Sequence, residues 1–260
     1  MDLLKDYQMD LTGIDGLKLP EDRIRTLEKL LKTVYGDSVQ VEYLEQMKSK
    51  KNVVLLLNIH TTPPSHLAPL IAKLFISETF EIEKQILESC QQNGLSVPEI
   101  IGAENGVILM YFLRGEPLVD LINRTFEPSL IDELAIWYHK FHESFNSIKG
   151  DPRLRNFLLC DDTLYGLDFE EAKPGHWILD IAGASASLLD TNPINDSRKR
   201  AMVWQLLEKY LSLTNEERTV EIDLLFVKTI ADVLTQTAEW RKDDQIRMLA
   251  DNIRTDGIQI

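Results

Sequence analysis

The chain has 260 residues, 42 acidic and 28 basic, for a net charge of −14 at pH 7. That charge excludes broad, sequence-independent binding to DNA or RNA, whose phosphates would be repelled. It reads first as a solvated acidic surface and second as a match for a cationic substrate. With 44% apolar and 27% charged residues, the composition is that of a soluble globular protein, long enough for one large domain or two lobes sharing a cleft. No apolar run approaches the ~20 residues of a membrane span. The start of the chain (Met1, Asp2, Leu3, Leu4, Lys5, Asp6) lacks the apolar core of a signal peptide. Cys90 and Cys160 are too few for a disulfide framework. The expectation is a cytoplasmic protein with neither a membrane nor a nucleic-acid partner; its oligomeric state stays open.

In chain order, Pro20 opens an amphipathic helix with Ile24, Leu27, Leu30, Leu31 and Val34 on one face, and Gly36 stops it. Strand-like runs follow at 39–44, 52–59 and 70–76. Residues 45–51 make the first connection, and Pro63 and Pro64 interrupt the second. Residues 78–93 read as a helix ended by Gly94, followed by strands at 97–101 and 106–112. Residues 1–113 therefore form a β-rich small lobe: a leading helix, an antiparallel sheet and one long helix. Residues 114–260 form a mostly helical large lobe. Its first clear helix, 129–145, carries Leu130, Leu134, Trp137, Phe141 and Phe145 on one stripe. Helical patterns then occupy 178–189, 197–211, 215–234 and 240–253, with Pro193 separating the first two.

The densest chemistry lies between these helices. Asp151 follows Gly150, Asn156 comes five residues after Asp151, and Asp168 twelve after Asn156. Residues 157–160 and 163–167 read as short strands joined by an Asp161–Asp162 turn, so a hairpin would bring Asn156 and Asp168 to one end. Phosphoryl transfer needs such a set: one carboxylate for the attacking hydroxyl, and an amide with a second carboxylate for Mg²⁺.

Gly150-Asp151 with Asn156, then Asp168-Phe169-Glu170-Glu171-Ala172, then Gly175 five residues before Asp180-Ile181-Ala182, resembles the aminoglycoside phosphotransferase and choline kinase group. The resemblance implies an α+β, bilobal protein-kinase-like fold with the nucleotide in the cleft between the lobes. It implies Asp151 as catalytic base, Asn156 and Asp168 as Mg²⁺ ligands, and Asp180 as the buried acid that braces the catalytic loop. ATP phosphates also need a lysine on a strand and an acid to hold it. Lys73, between Ala72 and Leu74 on a strand, is that lysine; the plain alternative is a solvent-facing strand residue. Glu83 precedes Ile86, Leu87 and Cys90 at helical spacing and is the preferred partner, with Glu81 second. The segment from Gly106 to Gly115 resembles the strand that runs into the family's hinge. This implies Met110 behind the adenine and the backbone of Phe112 and Leu113 along its edge.

The chain departs from that pattern in three places. No glycine-rich loop covers the phosphates; Lys48, Lys50 and Lys51 occupy the turn instead, as a solvated tip first and a phosphate contact second. Lys149 stands where the family has an architectural histidine. Arg153, two residues after Asp151, matches a position where protein kinases often carry lysine and would neutralise the transferring phosphoryl group with a bidentate fork. Arg155 faces outward or contacts a substrate anion. His139 and His142 have metal spacing without a third ligand and read as helix-surface or interlobe residues. His176 and Trp177 line an acceptor pocket or join the core. No serine or cysteine sits in a nucleophile elbow. These residues point to a phosphotransferase that uses ATP and Mg²⁺ on a hydroxyl of a small molecule. Second comes a compact atypical protein kinase. Third comes a non-catalytic kinase-like nucleotide-binding protein. Only eleven residues separate Asp168 from Asp180, too few for a long activation segment, which favours the small molecule.

Overall fold

The computed structural model describes residues 11–12, 16–61 and 68–259. The expectations placed on residues 1–6 and 62–65 lie outside them. The chain divides into two compact units: Met1–Gln91 with Val97–Arg114, and Gln92–Ser96 with Gly115–Ile260. It is an α+β protein, with a five-stranded antiparallel sheet early in the chain and mostly helices after it. No helix among the described residues is long and apolar enough to cross a membrane.

In the first unit, α1 (Glu21–Tyr35) is followed by β1 (Gln40–Met47), β2 (Val53–His60), β3 (Leu70–Leu74), α2 (Phe80–Gln92), β4 (Ile100–Glu104) and β5 (Val107–Tyr111). The strand order is β1-β2-β3-β5-β4. Leu27, Leu30 and Leu31 of α1 pack on Val53, Leu55, Leu57 and Ile59 of β2 and on Leu70, Ala72 and Leu74 of β3. Each buried leucine contributes about 1.5–3 kcal/mol. Alternation along β3 turns Lys73 to the opposite face of the sheet. The leading helix face is shorter than its pattern: Val34, at the last turn, is exposed. β1 runs three residues further than expected because Glu45, Gln46 and Met47 pair with Leu56, Leu55 and Val54 beyond a register shift. β4 starts at Ile100 rather than at residue 97. Pro98 has no N–H to give a ladder.

The second unit opens with β6 (Glu116–Pro117) and α3 (Leu118–Thr125), a short helix the apolar pattern did not reveal. Next come α4 (Ser129–Phe145), a single 3₁₀ turn (Leu154–Asn156), and β7 (Phe157–Cys160) paired antiparallel with β8 (Thr163–Gly166). Helices α5 (Ile178–Leu189), α6 (Ser197–Thr214), α7 (Val220–Arg241) and α8 (Asp244–Asp256) complete it. The α6–α7 boundary differs from the expected one for a local reason. Asn215, read as a helix start, is the left-handed cap that ends α6. Helix α7 begins at Thr219, whose side chain accepts from the Ile222 N–H. Likewise α7 runs through Trp240, and α8 begins after Asp243, whose side chain caps Gln245 and Ile246.

The core of this unit is aromatic. Trp137 stacks on Phe141 with ring centroids 5.4 Å apart and meets Phe157 edge-on at 5.1 Å. Phe169 is fully buried against Phe141. Helix α5 is buried along almost its whole length and carries small residues from Ala182 to Ser187. They let it approach the Asp151 loop closely: a Cβ on Gly183 would stand 2.3 Å from Cγ of Pro152. Gly183→Ala therefore overpacks this contact and is expected to cost about 1–3 kcal/mol. Urea denaturation measures it; an unchanged midpoint would show that the loop yields without cost.

Candidate active site

The site is organised around one buried carboxylate. Asp180, on the first turn of α5, is 1% exposed. It accepts the backbone N–H of Lys149 at 2.5 Å and that of Gly150 at 3.1 Å. His142, from α4, places Nε2 3.0 Å from the same carboxylate and Nδ1 2.8 Å from the Tyr210 hydroxyl. His142 is thus not a surface residue: its side chain is 9% exposed and braces Asp180 from behind. Trp177 packs on Tyr210 with centroids 4.7 Å apart and belongs to this support, whereas His176 is exposed. Gly150 has φ +86°, and a Cβ there would stand 2.1 Å from the Glu171 carbonyl oxygen. The turn before Asp151 can therefore hold only glycine.

Lys149 is fully buried. Its ammonium donates to the Asp151 carbonyl at 2.8 Å and to the Asp168 carbonyl at 2.9 Å. It also lies over the rings of Phe169 and Phe157, 5.3 and 5.7 Å from their centroids. One side chain thereby ties the loop that carries Asp151 to the turn that carries Asp168. Asp168 has φ +61°, a left-handed conformation held in place by this bond and by the anchored Phe169 next to it.

Asp151 is nearly buried, and Arg153 forks onto it: Nε meets Oδ1 at 2.5 Å and Nη2 meets Oδ2. Burial pushes the carboxyl up, but the Arg153 bonds and charge, aided by Lys149, outweigh it and hold the group at about 2. Asn156 donates Nδ2 to the Asp151 carbonyl at 3.3 Å, which leaves Oδ1 as its metal-competent end. The Leu167 N–H donates to the Asn156 carbonyl at 2.8 Å, so Asn156 and Asp168 stand at the same end of the β7–β8 hairpin. Their oxygens are the hard donors that Mg²⁺ prefers.

In the first unit, Lys73 and Glu83 form a buried ion pair at 2.6 Å. Met110 pairs with Ile71 two residues before Lys73, so Lys73 and Met110 lie on the same face of the sheet. The Phe112 N–H is taken by the Pro69 carbonyl at 3.0 Å. That leaves the Phe112 carbonyl as this residue's edge for a ligand. Glu81, the second choice, is exposed and reaches Lys84 at 4.0 Å instead.

Sequence reasoning did not find the roles of His142, Tyr210 and Lys149. Their contacts span up to 68 residues, and no local spacing announces them. Asp180→Ala would leave two buried backbone N–H groups and His142 without their acceptor. We expect a loss of about 3–5 kcal/mol, read from chemical denaturation. A loss under about 1 kcal/mol would mean that water replaces the carboxylate freely.

No protein-family model matches the chain. A curated protein from Methanosarcina barkeri, a probable bifunctional tRNA threonylcarbamoyladenosine biosynthesis protein, is 24% identical over 152 residues, 58% of this chain. The match spans about a quarter of that longer protein, 26% of its length. Among solved structures, amicoumacin kinase hAmiN in complex with AMP-PNP, Ca²⁺ and Ami superposes with a TM-score of 0.60 at 11% identity, covering 88% of this chain and 92% of that one. The gentamicin–APH(2″)-IIa complex gives 0.57 at 10% identity over 92% and 97% of the two chains. A choline/ethanolamine kinase family protein from Mesorhizobium loti gives 0.53 at 12% identity over 88% and 92%. The chain has the protein-kinase-like fold that these small-molecule kinases share.

Proposed function

We propose that this protein is an ATP- and Mg²⁺-dependent phosphotransferase that acts on a hydroxyl group of a small molecule. The observation that carries the reading is the Asp151–Asn156–Asp168 set held by one buried frame, with Lys149 joining both halves and Asp180 beneath it. Residues 1–113 and 114–260 would serve as small and large lobes.

In this reading Lys73, fixed by Glu83, positions the phosphates, and Met110 with the Phe112 carbonyl and the Leu113 N–H receives the adenine. Asn156, through Oδ1, and Asp168 would hold Mg²⁺, which when bound neutralises charge on the phosphates. The Arg153 fork covers both Asp151 oxygens. A carboxyl held at about 2 is a poor proton acceptor. Turning Arg153 onto the transferring phosphoryl group frees Asp151 and raises its basicity. The acceptor oxygen then bonds to the γ-phosphorus, the bond from that phosphorus to the ADP oxygen breaks, and the hydroxyl proton passes to Asp151.

The segment between Asp168 and Asp180 supports a small acceptor. It is clipped to the Asp151 loop by paired bonds between Ile148 and Lys173, 2.8 and 3.1 Å, and offers no long platform for a peptide. The likeness to a protein named for tRNA threonylcarbamoyladenosine biosynthesis favours a second reading, a compact atypical kinase with a macromolecular acceptor.

Two measurements test the proposal. Calorimetry should find ATP binding weak without Mg²⁺ and strengthened by it, because Asp168 and the phosphates repel one another unless a cation bridges them. Equal affinity in both conditions, or none in either, would sink the metal assignment. Asp151→Asn should lower kcat by about 10²–10⁴-fold while nucleotide affinity stays near wild type. Unchanged turnover would remove Asp151 from the mechanism.

A further inference from the structure

The 3₁₀ turn after Asp151 concentrates positive charge in a chain whose net charge is −14. Arg153 and Arg155 flank Leu154, and the Leu154 N–H is pinned to the Ser187 hydroxyl of α5 at 3.2 Å. Three residues beyond Ser187, at the end of α5, lies Asp190, 8% exposed, with Arg241 from the end of α7 3.0 Å from its Oδ2. The two helix ends and the turn thus bring three guanidinium groups together. Each of the three is close enough to act on the Asp190 carboxyl, and Arg153 and Arg241 both repel Arg155.

Two of the three guanidinium groups are paired. Arg153 is matched by Asp151 and Arg241 by Asp190. Arg155 is exposed and makes no hydrogen bond or ion pair among the described residues. Asp190 keeps Oδ1 buried without a hydrogen-bond partner among the described residues, so this carboxylate is engaged by Arg241 alone through Oδ2. Arg155 also feels the Asp151 and Asp168 carboxylates, but no carboxylate among the described residues bonds its guanidinium. A planar fork without a partner is suited to a carboxylate or a phosphate.

We propose that the phosphate acceptor carries an anionic group of its own, a phosphate or a carboxylate, and that Arg155, with Arg241 beside it, binds that group while the acceptor hydroxyl faces Asp151. The inference rests on the phosphotransferase reading and names its substrate class. Arg153 serves the transferring phosphoryl group, and Arg155 the anion that stays on the acceptor. Bond changes are those of phosphoryl transfer: one P–O bond forms at the acceptor, one breaks at ADP, and one proton moves to Asp151.

The test uses the full chain loaded with Mg²⁺ and a non-hydrolysable ATP analogue, so that the nucleotide's own phosphate contacts are occupied. Inorganic phosphate is titrated into wild type, Arg155→Ala and Arg155→Lys. Wild type should bind phosphate, Arg155→Ala about tenfold or more weakly, and Arg155→Lys in between. Arg155 is exposed and unbonded, so the variants should unfold at the wild-type midpoint. Phosphate binding that is absent, or equal in wild type and Arg155→Ala, would overturn the proposal. If the ATP analogue fails to bind, the phosphotransferase reading falls. The phosphate titration of the nucleotide-free chain then still reports on Arg155 separately. A second arm measures ADP release with paired hydroxyl compounds: glycerol against glycerol phosphate, glucose against gluconate, and choline as a cation. Turnover of the anionic member of a pair supports the assignment and separates phosphate from carboxylate. Faster turnover of the neutral or cationic compound would refute it.

Discussion

The Asp180 carboxylate is the constraint on which the Asp151 loop of the second unit depends. A carboxylate 1% exposed is stable only if its oxygens are fully engaged. Here the donors are two consecutive backbone N–H groups and a histidine ring. Because two of them belong to Lys149 and Gly150, burying Asp180 sets the path of the chain immediately before Asp151. The glycine at 150 accepts the resulting φ of +86°, and the close Gly183–Pro152 contact keeps the loop on α5. The orientation of Asp151 is a consequence of burying another acid.

Lys149 adds a second tie of the same kind. A buried ammonium needs acceptors, and two backbone carbonyls serve it. One carbonyl belongs to Asp151 and the other to Asp168, so one cation couples the positions of these two residues. A neutral ring could not donate to two carbonyls at once from a single atom, whereas an ammonium with three N–H groups can. Lys149 thus has a structural role of its own.

Much of the fold was legible where local pattern and tertiary demand agree. The stripe Leu130–Leu134–Trp137–Phe141 needs one buried face, and α4 spans the residues that pattern marks. The apolar run from Ile178 is a buried helix with the expected limits. Local reading failed where a single polar residue has two uses. Asn215 can start a helix or end one in a left-handed turn, and only the Thr219 cap that follows tells them apart. Helix α3 was missed because its eight residues carry just two buried positions, Leu118 and Ile122. Val34 satisfies the helical period but, in the last turn of α1, stays exposed over Gly102 of β4.

The sequence by itself determined the order of the chemistry-bearing residues, the antiparallel sheet with its leading helix, and the hairpin that places Asn156 near Asp168. All three rest on spacing, on turn residues and on the period of apolar side chains, which act over a few residues. Only the tertiary structure decided that His142 and Tyr210 stand behind Asp180, that Lys149 bridges two carbonyls, and that Arg153 covers Asp151 while Arg155 covers nothing. Those contacts join positions up to 68 residues apart, or depend on which rotamer a long side chain adopts beside a buried charge. Such choices follow from desolvation and packing of the whole unit, and no local pattern records them.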